Sequence, residues 1–236
     1  MISLSYDFHI HSCLSPCGDD DMTPANIVGM AVVKELDVIA LTDHNSCKNC
    51  PAFLKIAKEH GIIAIPGMEL CTAEEVHVVC LFQNLDDAMN FDEYIYKQLI
   101  YIPNEEAIFG KQQIYDEKDN IIGNEPNLLI NATNIPFHHV YELVKQFHGI
   151  MIPAHIDKNA NSLLSNLGFV PPESKFTCFE LKDMGKLHHL RKVNPYLENC
   201  KIITNSDAHY LEHISEPVNY IYSKSRDIKD IFDTLK

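Results

Sequence analysis

Asp7-Phe8-His9-Ile10-His11 closes the first apolar run of the chain, and residues 4–10 of this run are predicted to form a β-strand. Side chains alternate across a strand with a period of two, so His9 and His11 point to the same side. Imidazole is a common ligand of Zn, Fe and Mn, and the pair therefore indicates part of a metal site. A His-x-His pair is also typical of ordinary surface histidines. Further ligands elsewhere in the chain decide between the two interpretations.

The composition describes an acidic globular protein with an ordinary core. The 236 residues are 46% hydrophobic and carry a formal charge of −14, from 33 acidic and 19 basic residues. This balance argues against a partner such as nucleic acid, which is held mainly through its phosphates. No apolar run approaches the roughly 20 residues that a membrane helix needs, and the N-terminus lacks a signal-peptide pattern. We expect a cytoplasmic protein without a membrane partner; the oligomeric state stays open.

The eight cysteines include pairs with suggestive spacing. Cys47-x-x-Cys50 has the spacing of metal or redox sites, and Cys13 and Cys17 would supply two more thiolates. A zinc or iron–sulfur site is one interpretation of these four residues. Buried or incidental thiols, reduced in the cytoplasm, are the interpretation that we favour.

Apolar runs alternate with helical segments along most of the chain. Thr23 as N-cap and Pro24 at the first helical position predict a helix that runs to about residue 36. Further helices are predicted at 51–60, 86–101 and 136–147, and further strands at 37–41, 62–66, 76–82, 150–155, 176–181 and 201–205. Alternation of strands and helices implies a parallel sheet.

Side chains that bind metals recur where these strands end. The set comprises His9, His11, His44, Glu69, His155, Asp207 and His209. In parallel α/β folds, and above all in (β/α) barrels, the active site lies at the C-terminal ends of the strands. The pattern therefore predicts one polynuclear metal site in a single domain that comprises residues 1–236.

Residues 102–134 interrupt the alternation. Residues 111–115 and 121–123, separated by the polar turn 116–120, resemble a hairpin. Such an insertion is a lid or specificity loop, or else a structural flap, and the sequence does not decide between them.

Five ordered motifs resemble those of the PHP (polymerase and histidinol phosphatase) superfamily. They are Asp7-Phe8-His9-Ile10-His11-Ser12, Leu41-Thr42-Asp43-His44-Asn45, Gly67-Met68-Glu69, Pro153-Ala154-His155 and Ser206-Asp207-Ala208-His209. The resemblance spans residues 6 to about 210. It implies an α/β fold, a distorted (β/α)7 TIM-like barrel, with two or three metal ions at the C-terminal mouth and phosphoester hydrolysis as the usual chemistry.

Motif by motif, the resemblance implies three groups of ligands. The first metal would be bound by His9, His11, Glu69 and Asp207, and the second by Glu69 as a bridge with His77 and His155. The third would be bound by His44, His209 and a residue of the loop after His11, where Asp19 fits best and Asp20 and Cys17 are alternatives. His77 is the least secure ligand because it is predicted inside a strand. The set suits Zn²⁺, Mn²⁺ or Fe and does not select among them.

The implied chemistry is attack by a metal-activated hydroxide, since such ions lower the pKa of a bound water from about 15.7 towards 7. Asp43 would orient a histidine or relay a proton, and it joins His44, Glu69 and Asp207 in the predicted catalytic set. Phosphate recognition usually adds a cationic side chain. The candidates are Lys158, Lys182 and Arg191.

The sequence therefore predicts a metal-dependent phosphoesterase that hydrolyses the phosphomonoester of a small metabolite or nucleotide. One alternative is a 3'-5' exonuclease or oligonucleotide phosphodiesterase on the same site, for which Tyr94, Tyr96 and Tyr101 are the only sign of a stacking groove. Another alternative is a metal-bound regulatory domain without turnover. The complete set of implied ligands argues against that last interpretation.

Overall fold

The computed structural model describes residues 1–236, which form ten strands and eight α-helices. The strands are β1 (Ile2–Ile10), β2 (Val38–Leu41), β3 (Ile63–Cys71), β4 (His77–Leu81), β5 (Gln113–Tyr115), β6 (Ile121–Asn124), β7 (Ile150–Pro153), β8 (Cys178–Glu180), β9 (Lys201–Ile203) and β10 (Tyr220–Ser223). The helices are α1 (Pro24–Val33), α2 (Cys50–Glu59), α3 (Leu85–Tyr96), α4 (Glu106–Phe109), α5 (Phe137–Gln146), α6 (Leu163–Leu167), α7 (Leu187–Val193) and α8 (Ile228–Asp233). Three short 3-10 helices span Met184–Lys186, Pro195–Asn199 and Leu211–His213.

The helix ends follow local capping rules. The Thr23 hydroxyl accepts a hydrogen bond of 3.2 Å from the Asn26 N–H, and Pro24 occupies the first turn of α1. Asn84 caps α3 in the same way, through a 2.9 Å bond from the Asp87 N–H. Such caps satisfy backbone N–H groups that have no partner within the helix. All four predicted helices are present, with ends that differ by a few residues.

The main sheet is mixed and curls into part of a barrel. Its six strands lie in the order β10-β1-β2-β3-β4-β7, while β8 and β9 form a separate parallel pair. The strands β1, β2 and β3 are parallel, whereas β4 runs antiparallel to both of its neighbours and β10 runs antiparallel to β1. The prediction of a parallel sheet is therefore wrong for β4, and β10 is not among the predicted strands. A complete (β/α)7 barrel is not confirmed.

The reversal of β4 has a local cause. Residues 72–76 join β3 to β4, and in this turn the Thr72 N–H donates to the Val76 carbonyl over 3.0 Å. A parallel pair needs a crossover of a dozen or more residues, so this short connection makes β3 and β4 an antiparallel hairpin.

A few isolated bonds attach the β8–β9 pair to the main sheet. The Ile156 N–H donates to the Glu180 carbonyl over 3.0 Å beside β7, and the His11 N–H donates to the Ala208 carbonyl over 2.9 Å beside β1. We call the gap between β1 and the β8–β9 pair the seam. It is closed by single contacts and not by a regular ladder of hydrogen bonds.

A change of register in β1 sets the direction of the two histidines. Leu4, Tyr6 and Phe8 pack in a cluster of 17 buried residues, whereas Ile10 packs in a second cluster of 40 buried residues that includes the helices. The pairing with β2 shifts between Asp7 and Ile10. Bulges of this kind re-aim side chains next to active sites. Here the shift leaves His9 and His11 on the side away from Ile10.

The predicted hairpin of the insertion is present. The strands β5 and β6 pair antiparallel, and the Asp116 carboxylate accepts bonds of 2.9 Å from the N–H groups of Lys118 and Asn120 in the turn. The insertion packs on loops that follow β1 and β2. The Gln113 N–H donates to the Cys13 carbonyl over 3.1 Å, and the Asn45 amide donates to the Leu129 carbonyl over 2.7 Å.

No helix of the chain is both long and apolar enough to span a bilayer.

Candidate metal centre

Six histidines and two carboxylates converge at one end of the sheet. They are His9, His11, His44, His77, His155, His209, Glu69 and Asp207. Seven come from the C-terminal ends of strands or the loops after them, and the eighth, His77, is the first residue of β4. Because β4 runs antiparallel to β3, its beginning lies where its neighbours end. His77 is therefore part of a strand and still lies at the same end of the sheet as the other seven side chains.

The carboxylate of Glu69 is the centre of this group. Five imidazole nitrogens lie 3.0–3.3 Å from its two oxygens, those of His9, His11, His44, His77 and His155. Burial alone would raise the pKa of Glu69, but the charges of His77 and His9 outweigh it and hold the pKa well below its usual value. An ionised carboxylate with nitrogens on both oxygens has the arrangement expected of a bridging ligand.

The first predicted ligand group is assembled completely. The ligand atoms of His9, His11, Glu69 and Asp207 all lie within 4.8 Å of one another. The Oδ1 atom of Asp207 is 3.4 Å from His9 Nε2 and 3.5 Å from His11 Nε2. Four nitrogen and oxygen donors at this spacing suit a divalent transition-metal ion.

The other two groups differ in detail from the implied ones. His44 belongs to one group with Glu69 and His77 and to another with His11 and His209. His155 contacts Glu69 over 3.2 Å but lies outside these groups, so its role as a ligand stays a prediction.

Buried polar atoms without partners test whether the site fits a metal. His44 Nδ1, Glu69 Oε2 and His155 Nδ1 are buried and make no hydrogen bond of good geometry in the protein, although His44 Nδ1 lies 3.1 Å from Glu69 Oε2. Such atoms cost about 1–3 kcal/mol each when they are left unsatisfied. All three belong to predicted ligands, and a bound cation would satisfy those that face it; another such atom, Glu180 Oε1, belongs to a residue outside the ligand groups. The residues present therefore fit a metal centre.

The two histidines of β1 have different partners on the far side of their rings. His9 Nδ1 lies 2.8 Å from the Oε2 atom of Glu180. His11 Nδ1 lies 3.0 Å from the hydroxyl of Ser15, which in turn donates to Asp43 over 2.7 Å. Such partners orient a metal-binding histidine and fix which nitrogen carries the proton.

Asp43 thus has the contact that its predicted orienting role requires. It is buried and also accepts two bonds of 2.7 Å from the backbone N–H and hydroxyl of Ser12. Burial raises the pKa of Asp43, although His11 and the serines oppose this shift. Its catalytic role remains a prediction.

Glu180 is the functional candidate that sequence reasoning missed. It is the last residue of β8, so the rule that selects Glu69 at the end of β3 would also have selected it. Its carboxylate is buried and bound to His9.

The backbone is strained at this end of the sheet. Asn45, His155 and Asp207 have positive φ angles of 47°, 29° and 56°. Residues other than glycine pay of order 1–3 kcal/mol for such conformations, which cluster at active sites. Two of the three are predicted ligands.

Asp19, in the loop after His11, belongs to none of the three ligand groups, although its N–H donates to the His209 carbonyl over 2.9 Å. Its carboxylate accepts a 2.9 Å bond from the Asp21 N–H within the loop, and Asp20 pairs with Lys111. Cys17 instead lines the cavity of about 440 Å³ at the mouth, together with His44 and His209. The Cys17 side chain is exposed at this mouth.

The three predicted phosphate-binding cations separate into two groups. Lys158 lines the same cavity and pairs with Asp207, and Lys182 donates to the Ser206 carbonyl over 3.0 Å. Arg191 instead donates to the carbonyls of Leu197 and Cys200 over 3.3 Å. Cys200 precedes β9, at the opposite end from the mouth, so the structure does not bring Arg191 to the site.

The histidine charges divide the centre into two sides. Burial lowers the pKa of His9, but Glu180, Glu69 and Asp207 outweigh it and raise the pKa well above its usual value. The pKa of His77 rises to about 10, because Glu69 outweighs burial. Burial and the neighbouring His11 lower the pKa of His44 to about 3 and that of His209 to about 4.

Cys47 and Cys50 lie outside the three ligand groups. Their thiols are buried and lie 3.2 Å and 3.7 Å from the Gly67 carbonyl. No disulfide joins any of the eight cysteines.

Known proteins share both sequence and fold with this chain. A 5'-3' exoribonuclease of Haemophilus influenzae is 30% identical over 112 residues, which cover 46% of this chain and 37% of that protein. The chain matches about half or less of the length of its curated relatives.

Two solved structures have the same fold. A lesion-specific endonuclease from Pyrococcus furiosus superimposes with a TM-score of 0.68 and 17% identity, covering 100% of this chain and 56% of that one. A protein from Bifidobacterium adolescentis, assigned as a metal-dependent phosphoesterase, gives a TM-score of 0.61 and 15% identity, covering 98% of this chain and 95% of that one. At these identities the similarity is one of fold.

The PHP domain family matches residues 7–164, about two thirds of the chain. The match includes four of the five sequence motifs, from Asp7 to His155. The relatives named above are an exoribonuclease, an endonuclease and a protein assigned as a metal-dependent phosphoesterase, and phosphoester hydrolysis is the chemistry that the motifs predict. The chain therefore belongs to the PHP domain family.

Proposed function

We propose that this protein is a metal-dependent phosphoesterase. The observation that carries the proposal is the ionised Glu69 carboxylate with five imidazole nitrogens 3.0–3.3 Å from its oxygens. Asp207 and His209 extend this cluster to a cavity at the mouth. Membership in the PHP family supports the same chemistry.

Two or three divalent ions would be held by the ligands described above. When bound, such ions supply positive charge to the phosphoryl oxygens and acidify a water molecule for attack. The residues of the chain would hold and orient these ions: Glu69 would be a ligand shared between them, and Asp43 fixes the His11 ring through Ser15. Lys158 lines the cavity beside Asp207, where its ammonium group binds the phosphate of the substrate.

The role of Lys158 has a direct test. A charge-assisted hydrogen bond contributes about 1.5–3 kcal/mol, so Lys158→Gln is expected to raise KM by roughly tenfold or more. Steady-state kinetics at fixed metal concentration measures this change. An unchanged KM would show that Lys158 does not bind the phosphate of the substrate.

The first substrate class that we propose is a small phosphomonoester, such as a phosphorylated metabolite or a nucleotide. The size of the cavity, about 440 Å³, suits a small ligand. The excess of 33 acidic over 19 basic residues disfavours long phosphate backbones.

The second candidate substrate is nucleic acid. The argument from net charge conflicts with the exoribonuclease relative and with the fold shared with a lesion-specific endonuclease. We therefore propose the phosphodiester bonds of RNA or DNA as the alternative to a monoester. Net charge does not exclude this class, because a local site can bind a strand end.

A substrate comparison separates the two candidates. Protein loaded with Zn²⁺, Mn²⁺ or Fe²⁺ is offered a panel of phosphomonoesters and single-stranded RNA and DNA oligonucleotides. Turnover of monoesters alone supports the first candidate, and shortening of oligonucleotides supports the second. The His9→Ala variant is the control, because it removes a predicted ligand. Failure to hydrolyse either class with any of the metals would contradict the proposed function.

A further inference from the structure

Glu180 stands behind the cluster, outside all three ligand groups. It is 1% exposed, and its Oε2 atom lies 2.8 Å from His9 Nδ1. We propose that Glu180 is the positioning residue for His9, whose ring it orients towards the first metal. This inference rests on the metal centre of the proposed function.

The contacts of the His9 ring determine which nitrogen faces the metal. Nδ1 points to Glu180, whereas Nε2 lies 3.2 Å from Glu69 Oε1 and 3.4 Å from Asp207 Oδ1. A carboxylate accepts hydrogen bonds and has no proton to donate when it is ionised. Nδ1 therefore carries the proton, and Nε2 keeps its lone pair for the metal. A carboxylate behind a histidine also makes the opposite nitrogen a stronger ligand.

Glu180 is itself held in place across the seam. The Asn205 amide donates to Glu180 Oε2 over 2.8 Å, and its Oδ1 atom accepts a 2.9 Å bond from the Phe8 N–H of β1. These bonds connect β8, the segment after β9 and β1 at the place where the sheet lacks a regular ladder. Closure of the seam and orientation of His9 thus depend on the same carboxylate.

The two oxygens of Glu180 are used unequally. Oε2 accepts hydrogen bonds from both His9 Nδ1 and the Asn205 amide, while Oε1 is buried and accepts none. Oε2 is therefore the oxygen that holds the His9 ring, and the Asn205 amide fixes its position.

The chain offers a matched control in Glu125. This glutamate is 3% exposed and accepts bonds of 3.0 Å from the Tyr96 hydroxyl and 2.9 Å from the Asn127 N–H. It also pairs with Lys48 and contacts no predicted metal ligand. Glu180→Gln and Glu125→Gln are therefore the same chemical change in two buried places, and only one of them lies behind a ligand.

The experiment measures metal affinity by competition with a chelator, using Zn²⁺ and the full chain. Loss of such an outer partner typically costs 10–100-fold in metal affinity, so Glu180→Gln is expected to bind Zn²⁺ at least about tenfold more weakly. Glu125→Gln is expected to bind it like the wild type. Equal affinity of Glu180→Gln and the wild type would overturn the inference. Because the measurement does not use turnover, a wild type that binds Zn²⁺ without hydrolysing any ester would contradict the proposed function alone.

A second measurement needs no variant and covers the case in which Glu180→Gln does not fold. Nitrogen-15 NMR of the imidazoles of Zn²⁺-loaded wild type is expected to show His9 protonated at Nδ1 and metal-bound at Nε2. Binding of the metal through Nδ1 would overturn the inference.

Discussion

The two sides of the metal centre hold their histidines in opposite electrostatic settings. On what we call the carboxylate side, His9 lies between Glu180, Glu69 and Asp207, which raise its pKa well above the usual value. On the loop side, His44 and His209 face His11, and their pKa values fall to about 3 and about 4. The carboxylate side therefore matches a cation with anionic charge, whereas the loop side offers neutral imidazoles. We expect the first metal to bind on the carboxylate side.

The largest effect is expected from Glu69, the residue that both sides share. Glu69→Gln removes the negative charge that lies within 3.3 Å of five imidazoles. Loss of one partner in a buried ionic cluster lowers the free energy of unfolding by about 3–5 kcal/mol, and activity is expected to fall together with the bound metal. Metal content, measured by elemental analysis, is expected to fall on both sides. A variant that retains its full metal content would show that Glu69 does not bridge.

The next largest effect is expected when one histidine from each side is replaced by asparagine and the metal affinities are compared. His9→Asn removes a buried ligand that contacts three carboxylates, and we expect a loss of metal affinity of about 100-fold or more. His209→Asn removes a half-buried ligand, and its loss is expected to be about tenfold. Zn²⁺ titrations of the two variants measure the difference. Equal losses of Zn²⁺ affinity in the two variants would show that the carboxylate side and the loop side do not differ in how strongly they bind the metal.

The pH dependence of metal binding sharpens the comparison further. A raised pKa means that His9 and His77 carry a proton at neutral pH in the metal-free protein, and a metal must displace it. Affinity for a metal bound by His9 or His77 should therefore rise with pH, by up to about tenfold per pH unit for each proton released. His44 and His209 are neutral above about pH 5, so the loop side should change little between pH 5 and pH 8. Calorimetry in buffers of different ionisation enthalpy counts the released protons.

The smallest expected effect concerns the loop after His11. The structure places Cys17 at the cavity and turns the Asp19 carboxylate to the Asp21 N–H. Cys17→Ser is expected to weaken metal retention on the loop side a few-fold, while Asp19→Asn leaves it unchanged. The reverse result, measured by elemental analysis after dialysis, would restore Asp19 as the loop ligand.

Most of the candidate site could be predicted because it follows one rule. His9, Glu69 and Asp207 lie at strand ends or directly after them, and strand ends of one direction meet at one edge of a sheet. The reversal of β4 followed from the short connection 72–76, which has no room for a crossover helix. The predicted strands 62–66 and 76–82 leave nine residues between them, which is also too few for a crossover, so the sequence could have placed His77 at the mouth.

What could not be predicted depends on which strands become neighbours. Glu180 reaches His9 across the seam, and Ser15 reaches His11 from a loop that folds back on β1. Nothing in the local pattern of either residue reveals these contacts, because they join segments whose proximity only the tertiary structure sets. The direction of the Asp19 side chain depends in the same way on a turn within its own loop.

The central claim is that one carboxylate, Glu69, assembles a centre for more than one metal ion. Elemental analysis of freshly purified wild-type protein tests it most directly. The account predicts two or three equivalents of Zn, Mn or Fe per chain. A ratio below two ions per chain, after loading with each of these metals, would contradict it.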